Sequence, residues 1–366
     1  MFTKAVFPGQ YLQGVGVVSK LPELILPFGR RGLLLASPTV MQKIAAPLLD
    51  DKNNDLLHPI VFSGECCEEE IKRLTDLIVA NRLEFVVGMG GGKTIDTAKI
   101  AADQTGLPVV VVPTIASTDA PCSGCAVVYS PEGEFSKVLY QRRNPAAVLV
   151  DLQIIAQAPA RLFVAGMGDA LATWFEARSC QRTQSMNECG GLSTAAGLEL
   201  AKLCYNILRE DGLAALLACR QNLITPALAR VTEANILLSG IGFESGGLAA
   251  AHAIHNGLTA LEETHSFYHG EKVAFGTLSG LVLTAAPQDE IQEVISFCLS
   301  VGLPVTLAQL GLDYNNRERL FVAALKSCEP TQSIHHEAGE INAERVLDAM
   351  LMADALGRKA KNNSSS

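Results

Sequence analysis

Histidine is sparse in this chain, yet most of it falls in one short stretch. The sequence has seven histidines, and AAAHAIHNGLTALEETHSFYHGEK contains four of them: His252, His255, His265 and His269. The surrounding residues place His252 in a helix of small residues and His269 at the start of a later helix. Two imidazoles on separate elements can bind one metal ion. The alternative is that each is an ordinary core histidine with a hydrogen-bond partner.

A metal site needs a further ligand, and Asp169 is the best candidate. It follows a glycine in AGMGDALATWFEAR and is expected to open an apolar helix, where burying an unpaired carboxylate would be costly. Asp169 could instead be only a helix N-cap. One carboxylate and two imidazoles with open positions are typical of a catalytic rather than a structural zinc. His255 and His265 then remain as supporting or surface groups.

A run of three glycines, Gly90, Gly91 and Gly92, joins a predicted strand to a predicted helix in EFVVGMGGGKTIDTAK. Glycines let the backbone approach an anion closely, and the free amides and positive dipole of a helix N-terminus attract phosphate. The run matches neither the Walker A pattern nor the G-x-G-x-x-G pattern. It therefore predicts a phosphate-binding turn of another kind, or else a tight turn without a ligand.

A second predicted strand end, VVVVPTIASTDAPCSG, is rich in small polar side chains. They are Thr114, Ser117, Thr118, Asp119 and Ser123. These groups could hydrogen-bond to a ligand or could form an ordinary polar loop. Cys122 and Cys125 form a C-x-x-C pair, which we interpret as structural because no second pair stands at a zinc-site spacing.

The elements that must position these residues change in type along the chain. From about residue 30 to 152, apolar runs alternate with segments of helical periodicity, which predicts an open, mostly parallel sheet. The predicted strands are GLLLASP, HPIVFSG, EFVVGMG, PVVVVPT and AVLVDL. The predicted helices between them are TVMQKIAAPLLDD, EEEIKRLTDLIVAN and TIDTAKIAADQTG.

Beyond Pro159 the segments are long and rich in Ala and Leu, which predicts a helical second half. We therefore expect an α/β domain over residues 1–160 and an all-α domain over residues 161–366. Ligands of open α/β sheets bind beyond the carboxyl ends of the strands. We accordingly expect the active cleft between the two domains.

Composition narrows the classes of partner. The 366 residues are 48% hydrophobic and 18% charged, the balance of a globular protein, and the net charge of −9 disfavours nucleic acid and anionic membranes as partners. No signal peptide or long apolar run is evident, so we expect a cytoplasmic protein whose ten cysteines are reduced. A small molecule is the expected ligand.

Five stretches resemble motifs of the glycerol dehydrogenases in the iron-containing alcohol dehydrogenase superfamily: GGGKTIDTAK, PTIASTDAPC, GMGDALATWFEAR, GFESGGLAAAHAIHNGLTA and YHGEKVAFGTL. The resemblance covers nearly the whole chain. It implies a dehydroquinate synthase-like fold, with a dinucleotide-binding α/β domain and a helical domain that binds metal and substrate. It also implies a homo-octamer that oxidises glycerol, or a related vicinal diol, with NAD and one zinc ion per subunit.

The resemblance also implies roles for individual residues. The metal ligands are Asp169, His252 and His269. Asp119 matches a carboxylate close to the substrate. The dinucleotide contacts are Gly92, Lys93, Thr94, Asp96, Thr114, Ser117, Ser123, Cys125 and Tyr129. Iron-dependent relatives carry another histidine one turn after the aspartate, and because that position is Thr173 here, zinc is favoured.

One position departs from this pattern. Many of these dehydrogenases end the first strand with an aspartate that holds the adenine ribose, whereas this chain has Ser37. We expect NAD to remain the cofactor, with weaker discrimination against NADP. Two alternatives to glycerol oxidation are considered. One is a relative that acts on a phosphorylated substrate, such as a glycerol-1-phosphate dehydrogenase or a dehydroquinate synthase, and the other is a catalytically silent nucleotide or metal binder.

Overall fold

The structure is a computed structural model that describes residues 2–49, 56–133 and 135–364. The chain divides into two compact units. The first, here called the α/β unit, comprises Phe7–Ala158 and Asn222–Ile224. The second, here called the helical unit, comprises Met1–Val6, Pro159–Gln221 and Thr225–Ser366.

The α/β unit is built on a parallel sheet. Its strands are β1 (Tyr11–Gly14), β2 (Gly32–Ala36), β3 (Leu57–Val61), β4 (Phe85–Gly90), β5 (Val109–Pro113), β6 (Cys125–Tyr129), β7 (Phe135–Tyr140) and β8 (Ala147–Asp151). Within the described residues, six of them form a sheet in the order β1-β8-β5-β4-β2-β3, with every neighbouring pair parallel. β6 and β7 form a separate antiparallel pair.

The register of the sheet brings the polar strand ends together. Ala36 of β2 pairs with Met89 of β4, and Gly90 pairs with Pro113 of β5. The central strands β2, β4, β5 and β8 are fully buried, which explains their nearly continuous Val and Leu runs. The loops after β2, β4 and β5 therefore emerge side by side at one edge of the sheet.

Among the described residues, the α/β unit has five α-helices, four between its strands and one after β8. They are α1 (Leu21–Ile25), α2 (Pro38–Val40), α3 (Glu68–Asn81), α4 (Gly92–Thr105) and α5 (Leu152–Gln157). The predicted helix TVMQKIAAPLLDD is broken into α2, a wide π-type turn over Met41–Ala45 and a 3-10 turn over Ala46–Leu48. Pro47 contributes to this break because it lacks an amide donor and does not fit a helix interior. The end of that prediction, residues 50–51, lies outside the described residues.

Among the described residues, the helical unit contains nine α-helices. They are α6 (Ala160–Thr183), α7 (Ala195–Arg220), α8 (Pro226–Glu233), α9 (Ser239–Gly246), α10 (Ala250–Leu258), α11 (His269–Leu283), α12 (Gln288–Val301), α13 (Arg317–Ser327) and α14 (Ala343–Ser364). The predicted fold class, a parallel α/β sheet followed by helices, is confirmed. Within the described residues, no helix combines the length and the apolar character needed to cross a membrane.

The expectation that Asp169 opens a helix is wrong, and so is its alternative as an N-cap. α6 starts at Ala160, directly after Pro159, so Asp169 lies inside the helix. The helix continues through Gly168. This glycine does not end the helix, and its lack of a side chain allows close packing against α11. A Cβ there would lie 2.2 Å from the carbonyl oxygen of Gly270.

All ten cysteines lie within the described residues and are free thiols, and seven of them are buried. Burial raises the pKa of Cys66 in the α/β unit to about 12. Burial likewise raises the pKa of Cys298 in the helical unit to about 12. Because a thiol attacks as the thiolate, these side chains are inert while they remain buried.

Candidate metal and dinucleotide sites

The structure brings Asp169, His252 and His269 together from α6, α10 and α11. The Oδ1 atom of Asp169 lies 3.0 Å from Nε2 of His269 and 3.4 Å from Nε2 of His252. The three potential ligand atoms all lie within 4.8 Å of one another. Asp169 is 1% exposed, so its carboxylate depends on these partners rather than on water.

Two glycines explain why Asp169 and His269 meet. A Cβ on Gly270, the second residue of α11, would lie 1.7 Å from the carbonyl oxygen of Ala165 in α6. Together with Gly168, Gly270 lets the two helices touch backbone to backbone. The spacing between the carboxylate and the first residue of α11 is therefore set by main-chain contact.

Glu176 orients His252 from the same face of α6 that carries Asp169. Its Oε2 atom lies 2.6 Å from Nδ1 of His252, and its Oε1 atom accepts from the amides of Ala249 and His252 at 2.8 and 3.0 Å. A carboxylate at Nδ1 keeps the proton on that nitrogen and leaves Nε2 free for a metal. Sequence analysis missed Glu176, although its spacing of two helical turns from Asp169 was a usable signal.

A chain of hydrogen bonds orients His269 in a similar way. Nδ1 of His269 lies 3.0 Å from Nε2 of His255, whose Nδ1 lies 3.0 Å from Oδ1 of Asn256. The amide of Asn256 is itself fixed, because Nδ2 donates to Oε1 of Gln332 at 2.9 Å. Asn256 Oδ1 only accepts, so His255 donates to it and accepts from His269. Nε2 of His269 is then the nitrogen without a proton.

The two remaining histidines of the cluster therefore differ. His255 is buried and contacts His269, so it supports the site directly. His265 is exposed, and its Nε2 atom lies 3.0 Å from the carbonyl oxygen of Thr259. The sequence could not separate the two, because their difference depends on how α10 and α11 pack.

The electrostatics of the cluster fit a bound cation. Burial alone would raise the pKa of the Asp169 carboxyl, but in the metal-free protein the charge of His269 and hydrogen bonds from the Nε2 atoms of His252 and His269 hold that pKa well below its usual range. A bound cation would take the place of these protons and leave both Nε2 atoms as ligands. Burial, reinforced by the charge of His269, lowers the pKa of His255 well below its usual value, which suits a neutral acceptor. One carboxylate oxygen and two imidazole nitrogens form a donor set suited to zinc or iron.

The glycine-rich turn lies at the N-terminus of α4. Gly91 precedes the helix, and Gly92 is its first residue. Apart from the adjoining residues and the backbone of α4 itself, the nearest described atom to a Cβ placed on Gly92 would be Oγ1 of Thr118, at 3.9 Å, so the protein leaves that side of the turn open. The amide of Thr114 donates to the carbonyl of Gly90 at 3.0 Å, which joins the loop after β5 to the same turn.

Lys93 is held by an acid and an aromatic ring. Its Nζ atom lies 2.5 Å from Oε2 of Glu65 and 4.7 Å from the centroid of the Tyr129 ring. Burial raises the pKa of Tyr129 far above its usual value, so the phenol stays neutral beneath the ammonium group. Sequence analysis missed Glu65 because it follows β3, distant in sequence from the turn.

Asp96 and Lys99 face the interior and hold the neighbouring loop. Oδ2 of Asp96 accepts from the amide of Val127 at 3.0 Å. Lys99, which is 1% exposed, donates to the carbonyl oxygens of Ala120 and Ser123 at 2.8 and 3.1 Å, and to that of Cys125. Asp96 therefore holds β6, and Lys99 positions the segment between β5 and β6.

The other predicted contacts lie on the strand-end loops, on α4 and on β6. Ser37 follows β2 in extended conformation, and its carbonyl oxygen accepts from the amide of Met41 at 2.8 Å. Oγ of Ser123 donates to the carbonyl oxygen of Ala120 at 3.3 Å. The buried members of this predicted set are Thr94, Thr114, Asp119 and Ser123. The partly buried members are Ser37, Gly92, Ser117, Cys125 and Tyr129.

Known proteins provide a direct comparison. Residues 8–152 match the family model described as iron-containing alcohol dehydrogenase. The chain is 49% identical to the glycerol dehydrogenase of Thermotoga maritima over 363 residues, which cover 99% of this chain and 100% of that protein. The chain belongs to the iron-containing alcohol dehydrogenase family. It is also 48% identical to a glycerol dehydrogenase of Escherichia coli over 354 residues, 96% of each chain.

The family resemblance extends to three dimensions. The crystal structure of a probable glycerol dehydrogenase from Sinorhizobium meliloti matches with a TM-score of 0.92 and 43% identity, covering 98% of this chain and 99% of that one. The family model itself spans most of the α/β unit. These relatives also span the helical unit, which contains the cluster of Asp169, His252 and His269.

The family name does not by itself identify the metal of this chain. The position one helical turn after Asp169 is Thr173, and its hydroxyl lies 2.9 Å from that of Ser239 in α9. Thr173 is buried, its hydroxyl is hydrogen-bonded, and it has no imidazole that could serve as a further ligand. Among the described residues, the candidate donor set therefore consists of one carboxylate and two imidazoles.

Proposed function

We propose that this protein oxidises the secondary hydroxyl of glycerol to dihydroxyacetone, with hydride transfer to NAD. The observation that carries the proposal is the convergence of Asp169, His252 and His269 in a chain 49% identical to a glycerol dehydrogenase over almost its full length. Residues 1–160 are assigned to dinucleotide binding and residues 161–366 to metal and substrate binding. Related vicinal diols are further expected substrates.

The ligands hold a divalent metal, and the donor set together with Thr173 favours one zinc ion per subunit. When bound, the metal supplies Lewis acidity toward a substrate hydroxyl. Glu176 and His255 keep the Nε2 atoms of His252 and His269 directed at the shared site. Asp119 is assigned a hydrogen bond from a substrate hydroxyl, and this carboxylate disfavours a phosphorylated substrate close to it.

The dinucleotide is assigned to the turn at Gly92 and to the loops after β2 and β5. The open side of Gly92 and the unpaired amides of the first turn of α4 support a pyrophosphate there. Lys93 brings a positive charge to the same turn, while Asp96 and Lys99 keep the adjoining segment in place. A homo-octameric assembly and a cytoplasmic location remain part of the proposal from family resemblance.

The test is NADH formation by the purified protein. Metal-replete protein should reduce NAD with glycerol, chelation should abolish the activity, and zinc should restore it. The substrate panel is glycerol, 1,2-propanediol, 2,3-butanediol and glycerol-1-phosphate, each with NAD and NADP. A clear preference for glycerol-1-phosphate would favour the phosphorylated-substrate alternative. Metal-replete protein that turns over none of these substrates would be a silent binder.

A further inference from the structure

The chain just before α10 has an irregular backbone that determines where His252 lies. Gly247 has φ 104°, and Ala249, the N-cap residue, has φ −148° and ψ −125°. Alanine has no side-chain acceptor for the first amides of the helix. His252 is the third residue of α10, so its position depends on whatever fixes residues 248–250.

The polar backbone atoms of residues 248–250 are bound by side chains from two distant parts of the chain. From α6, Glu176 accepts from the amide of Ala249, and the thiol of Cys180 donates to the carbonyl oxygen of Leu248 at 3.2 Å. The remaining bonds come from Ser333–Glu337. His336 Nδ1 lies 2.7 Å from the Leu248 oxygen, Ser333 donates to the Ala249 oxygen at 2.7 Å, and Glu337 accepts from the Ala250 amide at 3.2 Å.

The segment Ser333–Glu337 is itself anchored on α6. Oγ1 of Thr183 donates to the carbonyl oxygen of His336 at 2.9 Å. α6 thus carries the ligand Asp169, the carboxylate of Glu176 that orients His252, and the anchor for this segment. The segment therefore connects the position of α10 to the helix that carries the carboxylate ligand.

We propose that Ser333–Glu337 is a clamp that positions the metal ligand His252, and that Glu337 is its principal positioning residue. The inference rests on the proposed metal site. Metal ligands need supporting contacts to hold productive geometry, and the loss of such contacts typically weakens metal binding. Glu337 is 8% exposed, and its side chain accepts from the Ala250 amide at the N-terminus of α10, where the N-cap residue Ala249 has no side-chain acceptor.

The test compares Glu337→Ala with Glu337→Gln in the full-length protein. Zinc affinity is measured by competition with a chelator, and NAD affinity is measured separately. Glu337→Ala should weaken zinc binding about tenfold. Glu337→Gln should stay within about threefold of wild type, because its amide oxygen still accepts from the Ala250 amide. NAD affinity should not change in either variant.

Glu340→Ala is the matched control, since Glu340 is an exposed acid on the same stretch. It should bind zinc as wild type does. Ser333→Ala provides a milder variant of the clamp and should weaken zinc binding in the same direction, even if Glu337→Ala does not fold. Wild-type zinc affinity in Ser333→Ala and in folded Glu337→Ala would overturn the clamp.

Two further outcomes separate this inference from the proposed function. Wild-type protein that binds no zinc would overturn both the metal site and the clamp. Wild-type protein that binds zinc without oxidising glycerol would contradict the proposed function alone, since the zinc affinities of the Glu337 variants would still decide the clamp. Zinc affinity that is retained in Glu337→Gln but reduced in Glu337→Ala would support the clamp.

Discussion

His255 is a buried imidazole that acts on the proposed metal site without reaching the metal itself. It accepts the hydrogen bond from Nδ1 of His269 and is in turn oriented by Asn256. We predict that His255→Ala weakens zinc binding by about ten- to a hundredfold, because His269 loses the partner that fixes its proton on Nδ1. The measurement is a zinc dissociation constant by chelator competition.

His265→Ala is the control for that experiment. His265 lies in the same histidine-rich stretch, but it is exposed and contacts only a backbone oxygen among the described hydrogen bonds. Its replacement should leave zinc binding unchanged. Equal zinc affinities in the two variants would show that the His255 contact does not support the site.

A second prediction concerns Ser37 and the preference for NAD over NADP. An acid at the end of this strand holds the ribose hydroxyls and repels the extra phosphate of NADP. Ser37→Asp should strengthen NAD binding by about 1.5–3 kcal/mol, or roughly ten- to a hundredfold, and widen its advantage over NADP. The measurement is kcat/KM for glycerol oxidation with each cofactor.

Ser37→Asn separates hydrogen bonding from charge. Asparagine can bond to the ribose hydroxyls without repelling phosphate, so it should not improve discrimination against NADP as aspartate does. A tenfold or greater preference of the wild-type protein for NADP would contradict the assignment of NAD as the working cofactor.

Residue types and motifs are sufficient to point to Asp169, His252 and His269, because metal chemistry restricts the residues that can take part. They do not distinguish His255, as a support, from the surface residue His265, and they do not reveal Glu176 or Glu337. Those roles depend on contacts between helices, and Glu337 reaches Ala250 across 87 residues of sequence. No local periodicity carries that information.

At the scale of elements, the start of α4 gives a prediction that separates folding from binding. Apart from the adjoining residues and the backbone of α4 itself, no described atom would lie closer than 3.9 Å to a Cβ on Gly92, and alanine favours helices over glycine by roughly 0.5–1 kcal/mol. Gly92→Ala should therefore keep or raise the thermal stability of the free protein while weakening NAD binding. Calorimetry and NAD titration measure the two effects.

Gly90→Ala is the contrasting variant on the same turn. A Cβ at Gly90 would lie 2.9 Å from Cβ of Thr94, so this change should lower stability as well as NAD affinity. If Gly92→Ala bound NAD as tightly as wild type, the pyrophosphate assignment at this turn would fail. The expected pattern is lost affinity in both variants but lost stability in only one.

Elements with a strong helical period or a nearly continuous apolar run were predicted well, and the others were not. The predicted helix EEEIKRLTDLIVAN coincides with α3, and all five predicted strands are present. β1 and the β6–β7 pair were missed because their sequences, YLQG, CAVVY and FSKVLY, are mixed and lack the longer apolar runs of the buried central strands. The start of α6 was misplaced because Gly168 resembled a helix boundary when it is a contact between helices.

At the scale of the whole molecule, the proposed metal would join three helices whose candidate ligands lie up to 100 residues apart in sequence. A ligand that binds only the folded state stabilises it by about 2.7 kcal/mol at a free concentration of a hundred times its dissociation constant. We predict that Tm rises with free zinc and falls on chelation, by several degrees. Differential scanning calorimetry at fixed zinc concentrations measures this dependence.

His252→Ala is the control for the zinc dependence. It removes one ligand, so its Tm should hardly respond to zinc over the same range of concentrations. A wild-type Tm that is independent of zinc would contradict a metal site that exists only in the folded helical unit. NAD should still raise the Tm of the variant, since its assigned site lies on other elements.

The reaction rates of the buried thiols can measure how often each compact unit opens locally. Cys66 and Cys298, one in each compact unit, can react with an alkylating reagent only when local opening exposes them and restores an ordinary pKa. Their labelling rates, followed site by site by mass spectrometry under native conditions, measure how often each unit opens. Equal rates would mean that the two units open in one cooperative event, and unequal rates would rank their local stabilities.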